Sequence, residues 1–309
     1  MRVYLDHNAT TPLRPEARDA MVAAMDMVGN PSSVHAEGRA AKALVEKARA
    51  QVAALVGCRV QQVIFTSSAT EAAGLAVAQK GRRGGVFAAL PTEHDCLGVW
   101  GEVDLPSPYD PAGQMVEGWR DGLPAGLVAV SAANSETGVM VQGSRVVGSR
   151  AGHSVVCDIT QMAGKMPVVY EDDTPSYAIL SAHKLGGPKG VGALINFTAD
   201  DPEPLLRGGG QEMNRRSGTE NIGGISGFGA AAEAAARDVA AGRWEEIAEF
   251  RNILELSLEA GSNRTIFVGK DAARLPNTSC ILTEGWKGET QVMQMDLAGF
   301  AISAGSACS

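Results

Sequence analysis

Apolar positions along the chain switch repeatedly between a spacing of three to four and short unbroken runs. Leu44, Ala48, Val52 and Leu55 recur at helical spacing, and Gly57 stands where a left-handed residue would end that helix. Val63-Ile64-Phe65-Thr66 then reads as a buried strand, and a Ser67-Ser68 turn leads into a helix near Thr70-Glu71. Further strands are predicted at Val86–Leu90, Leu127–Ser131, Ser154–Cys157, Tyr177–Leu180 and Gly192–Asn196. Strands separated by helical or long connections predict an α/β fold, a largely parallel central sheet with helices on both faces. Residues 221–241 are rich in Ala and Gly, and a more charged helix follows from Trp244 to about Glu259. That change of composition predicts a passage from a large domain into a smaller α/β one.

Composition narrows the class without naming a chemistry. The chain has 309 residues, 45% apolar and 20% charged, as a soluble globular protein does. Its net charge of −8 comes with scattered basic residues, so no concentrated cationic face points to nucleic acid. No apolar stretch approaches the ~20 residues that cross a bilayer, and Met1–Pro12 has no secretory pattern. Five cysteines are an odd number with no C-x-x-C pair, which argues against a disulfide scaffold or zinc site. A cytoplasmic protein is expected, with no membrane and no nucleic-acid partner.

Candidate chemistry collects where predicted strands end, because loops leaving an open α/β sheet there line its crevice. Asp158 follows the strand Ser154–Cys157; Ser181-Ala182-His183-Lys184 follows Tyr177–Leu180 and runs into Gly186-Gly187-Pro188-Lys189-Gly190. A carboxylate and a lysine so placed suit pyridoxal phosphate, whose aldehyde a lysine holds and whose ring nitrogen a carboxylate keeps protonated. A solvated lysine beside a helix-capping Asp would leave the same pattern. Ser67-Ser68-Ala69-Thr70-Glu71 links a strand to a helix and could cradle a phosphate with free N–H groups, or Thr70 or a serine could simply cap the helix. His94, in Pro91-Thr92-Glu93-His94-Asp95, reads equally as a structural or a catalytic histidine. Asn134, in Ala133-Asn134-Ser135-Glu136-Thr137-Gly138, could be a turn former.

Taken in order, a longer series of motifs becomes specific. It comprises Tyr4-Leu5-Asp6-His7-Asn8-Ala9-Thr10-Thr11-Pro12, Gly29-Asn30-Pro31-Ser32-Ser33-Val34-His35, Ala69-Thr70-Glu71, Thr92-Glu93-His94 and Asn134–Gly138. It continues through Asp158-Ile159-Thr160-Gln161, Ser181–Gly190, Gly208-Gly209-Gly210-Gln211-Glu212, Arg216–Glu220 and Ser303-Ala304-Gly305-Ser306-Ala307-Cys308. The series resembles the cysteine desulfurases of the nitrogen-fixation and housekeeping iron–sulfur assembly group, within the class V aminotransferases of PLP fold type I. The resemblance runs from residue 4 to the last.

That resemblance implies roles residue by residue. Lys184 would bind the PLP aldehyde as its Schiff-base lysine; Asp158 would contact the ring nitrogen and Gln161 the ring hydroxyl. His94 would stack on the ring and shuttle protons, and Asn134 would lie beside the ring near the substrate carboxylate. Ala69, Thr70, Ser181, Ala182 and His183 would hold the phosphate, and Thr219 would reach the phosphate of the partner subunit in a homodimer with shared sites. Cys308, in a Gly/Ser/Ala-rich loop, would take sulfur from L-cysteine as a persulfide, leaving L-alanine, and pass it to an iron–sulfur scaffold or a sulfur-relay protein. No resident metal is expected, although Cys308 would transiently contact a nascent cluster. Cys58, Cys157 and Cys280 read as packing residues, and Cys96, near His94, as an alternative nucleophile.

The implied organisation is an arm at 1–15, a large PLP-binding domain at 16–242 and a small domain at 243–309. Two departures accompany the resemblance. The stretch from His94 to Asn134 is short for the family, so a trimmed helix is expected after His94. The family also continues past the cysteine loop with an arginine for the substrate carboxylate that nothing here matches, so an incomplete small domain is expected. The alternatives are another class V enzyme, such as an aminotransferase or a selenocysteine lyase, and a PLP-binding but inactive subunit.

Overall fold

The computed structural model describes residues 2–305, apart from 111–115, 117, 120, 122, 142–145, 151, 171–173 and 263. Its centre is a six-stranded sheet built from β2 (Val63–Thr66), β3 (Phe87–Ala89), β4 (Gly126–Ser131), β5 (His153–Asp158), β6 (Tyr177–Ser181) and β7 (Gly192–Asn196). The spatial order is β2-β7-β6-β5-β4-β3. The pairs β3–β4, β4–β5 and β5–β6 are parallel, and only β7 runs against both its neighbours. The expected largely parallel sheet is present, with strand limits shifted by a residue or so at β3 to β6.

Both faces of the sheet are buried, and the side-chain alternation of the strands divides them. Val128, Val130, Val155, Cys157, Ala178, Leu180, Ala193 and Ile195 point into one core with α1 (Pro15–Met25), α2 (Ala36–Val56) and α5 (Ile222–Ala240). Leu127, Ala129, Val156, Tyr177, Ile179 and Leu194 point into the other, beneath α3 (Ala69–Val77) and α4 (Asp95–Gly98). Such double burial explains why these strands read as unbroken apolar runs.

Helix ends follow local chemistry. Gly57 closes α2 at φ 68°, the left-handed conformation that costs glycine least. The Ala/Gly-rich segment forms α5, which belongs to the packing of α1 and α2. A Cβ on Gly229 would lie 2.5 Å from the Ala48 Cα, so the small residue lets the two helix backbones meet. The helix after His94 is a single turn, Asp95–Gly98.

Beyond α5, the chain forms α6 (Arg243–Gly261), an antiparallel pair β8 (Thr265–Val268) and β9 (Cys280–Thr283), α7 (Gly288–Leu297) and β10 (Phe300–Ala301). Arg274 clamps Glu255 of α6 through two bonds of 2.9 and 3.0 Å, and Ser279 Oγ donates to the same carboxylate at 2.6 Å. The first strand, β1 (Val3–Tyr4), pairs in parallel with β10, so the two ends of the described chain lie side by side.

Candidate active site

Asp158 is the last residue of β5, and Lys184 ends the one-turn 3-10 helix 182–184 that follows β6. The parallel β5–β6 register brings the carboxyl ends of both strands to the same edge of the sheet. Both residues are buried. Asp158 Oδ1 accepts the Thr160 backbone N–H at 2.8 Å, and among the described residues the carboxylate makes no salt bridge. Burial raises its pKa, against the hydrogen bonding of Thr160 and the nearby positive charges of His94 and Lys184. A buried carboxylate in that condition gains most from a cation placed against it.

Two donors meet at the Asn8 carbonyl. Lys184 Nζ donates to the Asn8 carbonyl, and Gln161 Nε2 donates to the same oxygen at 3.0 Å. Asn8 is fastened by its own amide, which donates to the Ser135 carbonyl at 3.1 Å and to Thr278 Oγ1 at 3.0 Å. Its Oδ1 accepts from Asn277 Nδ2 at 3.0 Å. A residue of the N-terminal arm therefore closes the site above Lys184, held by two loops remote in sequence.

The helix α3 begins beside this edge. Ser68 is its N-cap, accepting the Glu71 N–H at 3.1 Å, while Ala69 is half-buried and Thr70 exposed in the first turn. Of the expected cap candidates, it is therefore Ser68 and not Thr70 that caps. A Cβ on Gly192 would lie 2.5 Å from the Ser68 carbonyl carbon and 2.8 Å from the Ala69 nitrogen, so only glycine lets β7 pass under the helix start. Ser181 and Ala182 are buried at the end of β6. His183 Nδ1 sits 3.1 Å from Thr10 Oγ1, and burial together with Lys184 and Lys189 pushes its pKa down to about 4. The remote segment 216–219 reaches the same place: Arg216 Nε donates to Glu71 Oε1 at 2.7 Å. Although burial opposes it, the bonds from Arg216 and Ser67 keep Glu71 below the ordinary carboxyl range.

His94 and Asn134 take structural positions at the crevice. His94 caps α4, its Nδ1 accepting the Cys96 N–H at 3.1 Å. Asn134 Oδ1 accepts from the N–H groups of Glu136 and Thr137 and from Thr137 Oγ1, and its Nδ2 donates to the Thr92 carbonyl. Thr219 is exposed, three residues beyond Arg216. Cys308 lies outside the described residues.

Two residues of the site carried no signal in the sequence reading. Glu93 accepts from both the backbone N–H and the hydroxyl of Ser131, at 2.8 and 2.7 Å. Burial, with the Asp158 charge adding, pushes its carboxyl up to about 7 despite those bonds. Lys165 is buried four residues beyond Gln161 and donates to its Oε1 at 3.0 Å. Both look like ordinary surface charges in a one-dimensional sequence. Among the other cysteines, Cys157 is packed in the core, and burial drives the Cys96 thiol far above its usual range.

Pyridoxal phosphate fits this set of groups. The buried, unpaired Asp158 suits a protonated ring nitrogen, Lys184 is at hand for the aldehyde, and the glycine-dependent start of α3 offers N–H groups and a helix dipole to a phosphate. Among the described residues no cluster of His, Cys, Asp or Glu could hold a metal ion, and no helix is long and apolar enough to cross a membrane.

Comparison with known proteins agrees with the geometry. A cysteine desulfurase of Cereibacter sphaeroides is 38% identical over 99% of this chain and 83% of its own length. One of Frankia sp. (strain EuIK1) is 39% identical over 99% of this chain and 80% of its own. The NifS-like protein of Rickettsia africae superposes with a TM-score of 0.86 at 28% identity, covering 99% of this chain and 88% of that one. The family model described as aminotransferase class-V matches residues 3–105 and 118–309, and the chain belongs to that family.

Proposed function

We propose that the protein is a PLP-dependent cysteine desulfurase, converting L-cysteine to L-alanine and retaining the sulfur as a persulfide on Cys308. The observation that carries this reading is the buried pair Asp158 and Lys184 at neighbouring strand ends, in a chain whose relatives are named cysteine desulfurases. When bound, the cofactor supplies an electron sink for the bonds at the substrate α-carbon.

The chain's own residues supply the rest. Asp158 would hold the positive ring nitrogen in place, Gln161 would direct an N–H at the ring oxygen, and the start of α3 with Ser181 and His183 would receive the phosphate. His94, whose Nδ1 accepts the Cys96 N–H, would stack on the ring and shuttle protons. Lys184 would hold the cofactor aldehyde and would serve as the base for the substrate α-proton. The Cys308 thiolate attacks the substrate sulfur; the C–S electron pair stays with carbon, which is protonated to give alanine. The thiolate rather than the thiol is the nucleophile, so the described cysteines are poor substitutes: burial raises the thiol pKa of Cys58, Cys96, Cys157 and Cys280.

The finer assignments rest on the same reading. The arm is taken as 1–15, the large domain as 16–242 and the small domain as 243–309. A homodimer with Thr219 serving the neighbouring site is supported by the exposed apolar Leu205, Leu206 and Met213 on the segments flanking it. An iron–sulfur scaffold or sulfur-relay protein is the proposed acceptor. A cytoplasmic setting is supported by four described cysteines that are all free.

The test is to incubate the protein with PLP, L-cysteine and a thiol reductant, and to measure alanine and sulfide. Equal yields that vanish in Lys184→Ala and Cys308→Ala are expected. Sulfide that persists undiminished in Cys308→Ala, or a pyridoxyl label on a lysine other than Lys184 after borohydride reduction, refutes the assignment.

A further inference from the structure

Lys165 is 3% exposed, lies four residues beyond Gln161 and is near enough to Lys184 for their charges to interact. Among the described residues no carboxylate forms a salt bridge with it. The charges it faces have its own sign: Lys184 bears on Lys165, and Lys165 in turn bears on His7. Burying an ammonium without a counter-ion is costly, and an apolar side chain of the same length would fill the space more cheaply. The one bond its Nζ makes to a side chain goes to Gln161 Oε1, at 3.0 Å.

That bond decides an otherwise open question. The two ends of a glutamine amide have nearly the same shape, and their neighbours alone determine which end points where. An ammonium can only donate, so Gln161 must turn its oxygen to Lys165 and its N–H groups toward the site. Nε2 does so here, donating to the Asn8 carbonyl that also receives Lys184.

We propose that Lys165 is a positioning residue that locks the Gln161 amide so that Nε2–H is presented to the ring oxygen of the bound cofactor. The inference rests on the reading of the site as a PLP site. Burial and the charge of Lys184 pull the Lys165 pKa down to about 7, so the donor-only state holds below that pH. Above it the amine gains a lone pair that can accept from the amide, and the lock loosens.

A donor on the ring oxygen competes for that oxygen with the protonated nitrogen that joins Lys184 to the cofactor. Removing the donor therefore keeps that nitrogen protonated to higher pH, which is visible as a shift in the pH midpoint of the cofactor's absorption. Lys165→Met is expected to raise the midpoint by about one pH unit, the worth of one directed hydrogen bond. Gln161→Glu, which retains an ion-paired partner for Lys165 but has no donor, is expected to raise it likewise and covers the case in which Lys165→Met fails to fold. Lys165→Arg, still a donor, is expected to stay near the parental midpoint. In a Gln161→Met background, Lys165→Met is expected to add nothing. An unchanged midpoint in both Lys165→Met and Gln161→Glu, or an equal shift from Lys165→Met in the Gln161→Met background, overturns the proposal. A parental protein that never develops a Lys184-dependent colour instead overturns the PLP reading beneath it.

Discussion

Replacing Glu212 by alanine should damage the protein far more than a loop position usually does. Glu212 sits in the 3-10 turn Gln211–Asn214, yet its side chain is 2% exposed and faces Arg49 of α2, itself 3% exposed. The pair is bidentate, with Arg49 Nη1 and Nη2 donating to the two carboxylate oxygens at 2.7 and 2.8 Å. The same carboxylate accepts the Phe65 backbone N–H at 3.0 Å, and the guanidinium lies 4.9 Å from the Phe65 ring centroid. Glu212→Ala thus strands a buried cation and orphans a strand N–H. Breaking such a pair from one side costs about 3–5 kcal/mol. For a chain of 309 residues that corresponds to a fall of about 5–8 °C in melting temperature. Replacing both partners by apolar residues, Arg49→Met with Glu212→Leu, should recover most of the loss, because no uncompensated charge then remains. Urea unfolding of the cofactor-free protein, followed by circular dichroism for the parent, both single variants and the double variant, closes the cycle. A loss under about 1 kcal/mol in Glu212→Ala, or losses that simply add in the double variant, would refute the reasoning.

Four further outcomes are expected. Asp158→Asn should retain the fold and bind PLP but lose most turnover; parental alanine release would refute the electron-sink role. Because the folded-state pKa of Asp158 is raised, ionising it costs stability as pH rises past its ordinary range. Cofactor-free Asp158→Asn should therefore melt higher than the parent at neutral pH, with the advantage fading in acid; the reverse trend would contradict the burial argument. Mixing Lys184→Ala with Thr219→Ala subunits should restore activity through hybrids holding one intact site, and no recovery under conditions of subunit exchange counts against shared sites. Cys96→Ser should leave sulfide production within about twofold of the parent, since a thiol held far above its usual pKa is a poor nucleophile; a large loss would reinstate Cys96 as a candidate.

The sequence carried the sheet plainly because β4 to β7 are apolar on both faces, and that pattern survives reading in one dimension. Asp158 and Lys184 were legible for a related reason: each is a charge at the end of an apolar run. Ser68 was not separable from Thr70 as the cap, since both have hydroxyls within two positions of the helix start and only the backbone at Ser68 is extended. His94 and Asn134 each had two readings, and their local bonds to Cys96, Glu136 and Thr137 supply the structural one, which is compatible with a role at the cofactor. Arg49, Glu93 and Lys165 were missed because a buried charge looks like an exposed one until its partner is known. Their partners Glu212, Ser131 and Gln161 lie 163, 38 and 4 positions away. The carbonyl of Asn8 could not have been found at all, since every residue has one.

The placing of Asn8 bears on how the enzyme is made. The strand β1 of the same arm has, among the described residues, no ladder partner except β10, which leaves the ribosome roughly 300 positions later. At ~5–20 residues per second, that separation is about 15–60 s of synthesis. In the last part of it, once β7 (Gly192–Asn196) has been made, the sheet, Asp158 and Lys184 can already be folded while the arm hangs loose and Lys184 faces water. Cofactor arriving in that interval would meet an uncovered lysine, and cofactor arriving later would have to enter past the docked arm. Loading during translation and loading after it are therefore different events, with the first expected to be the faster.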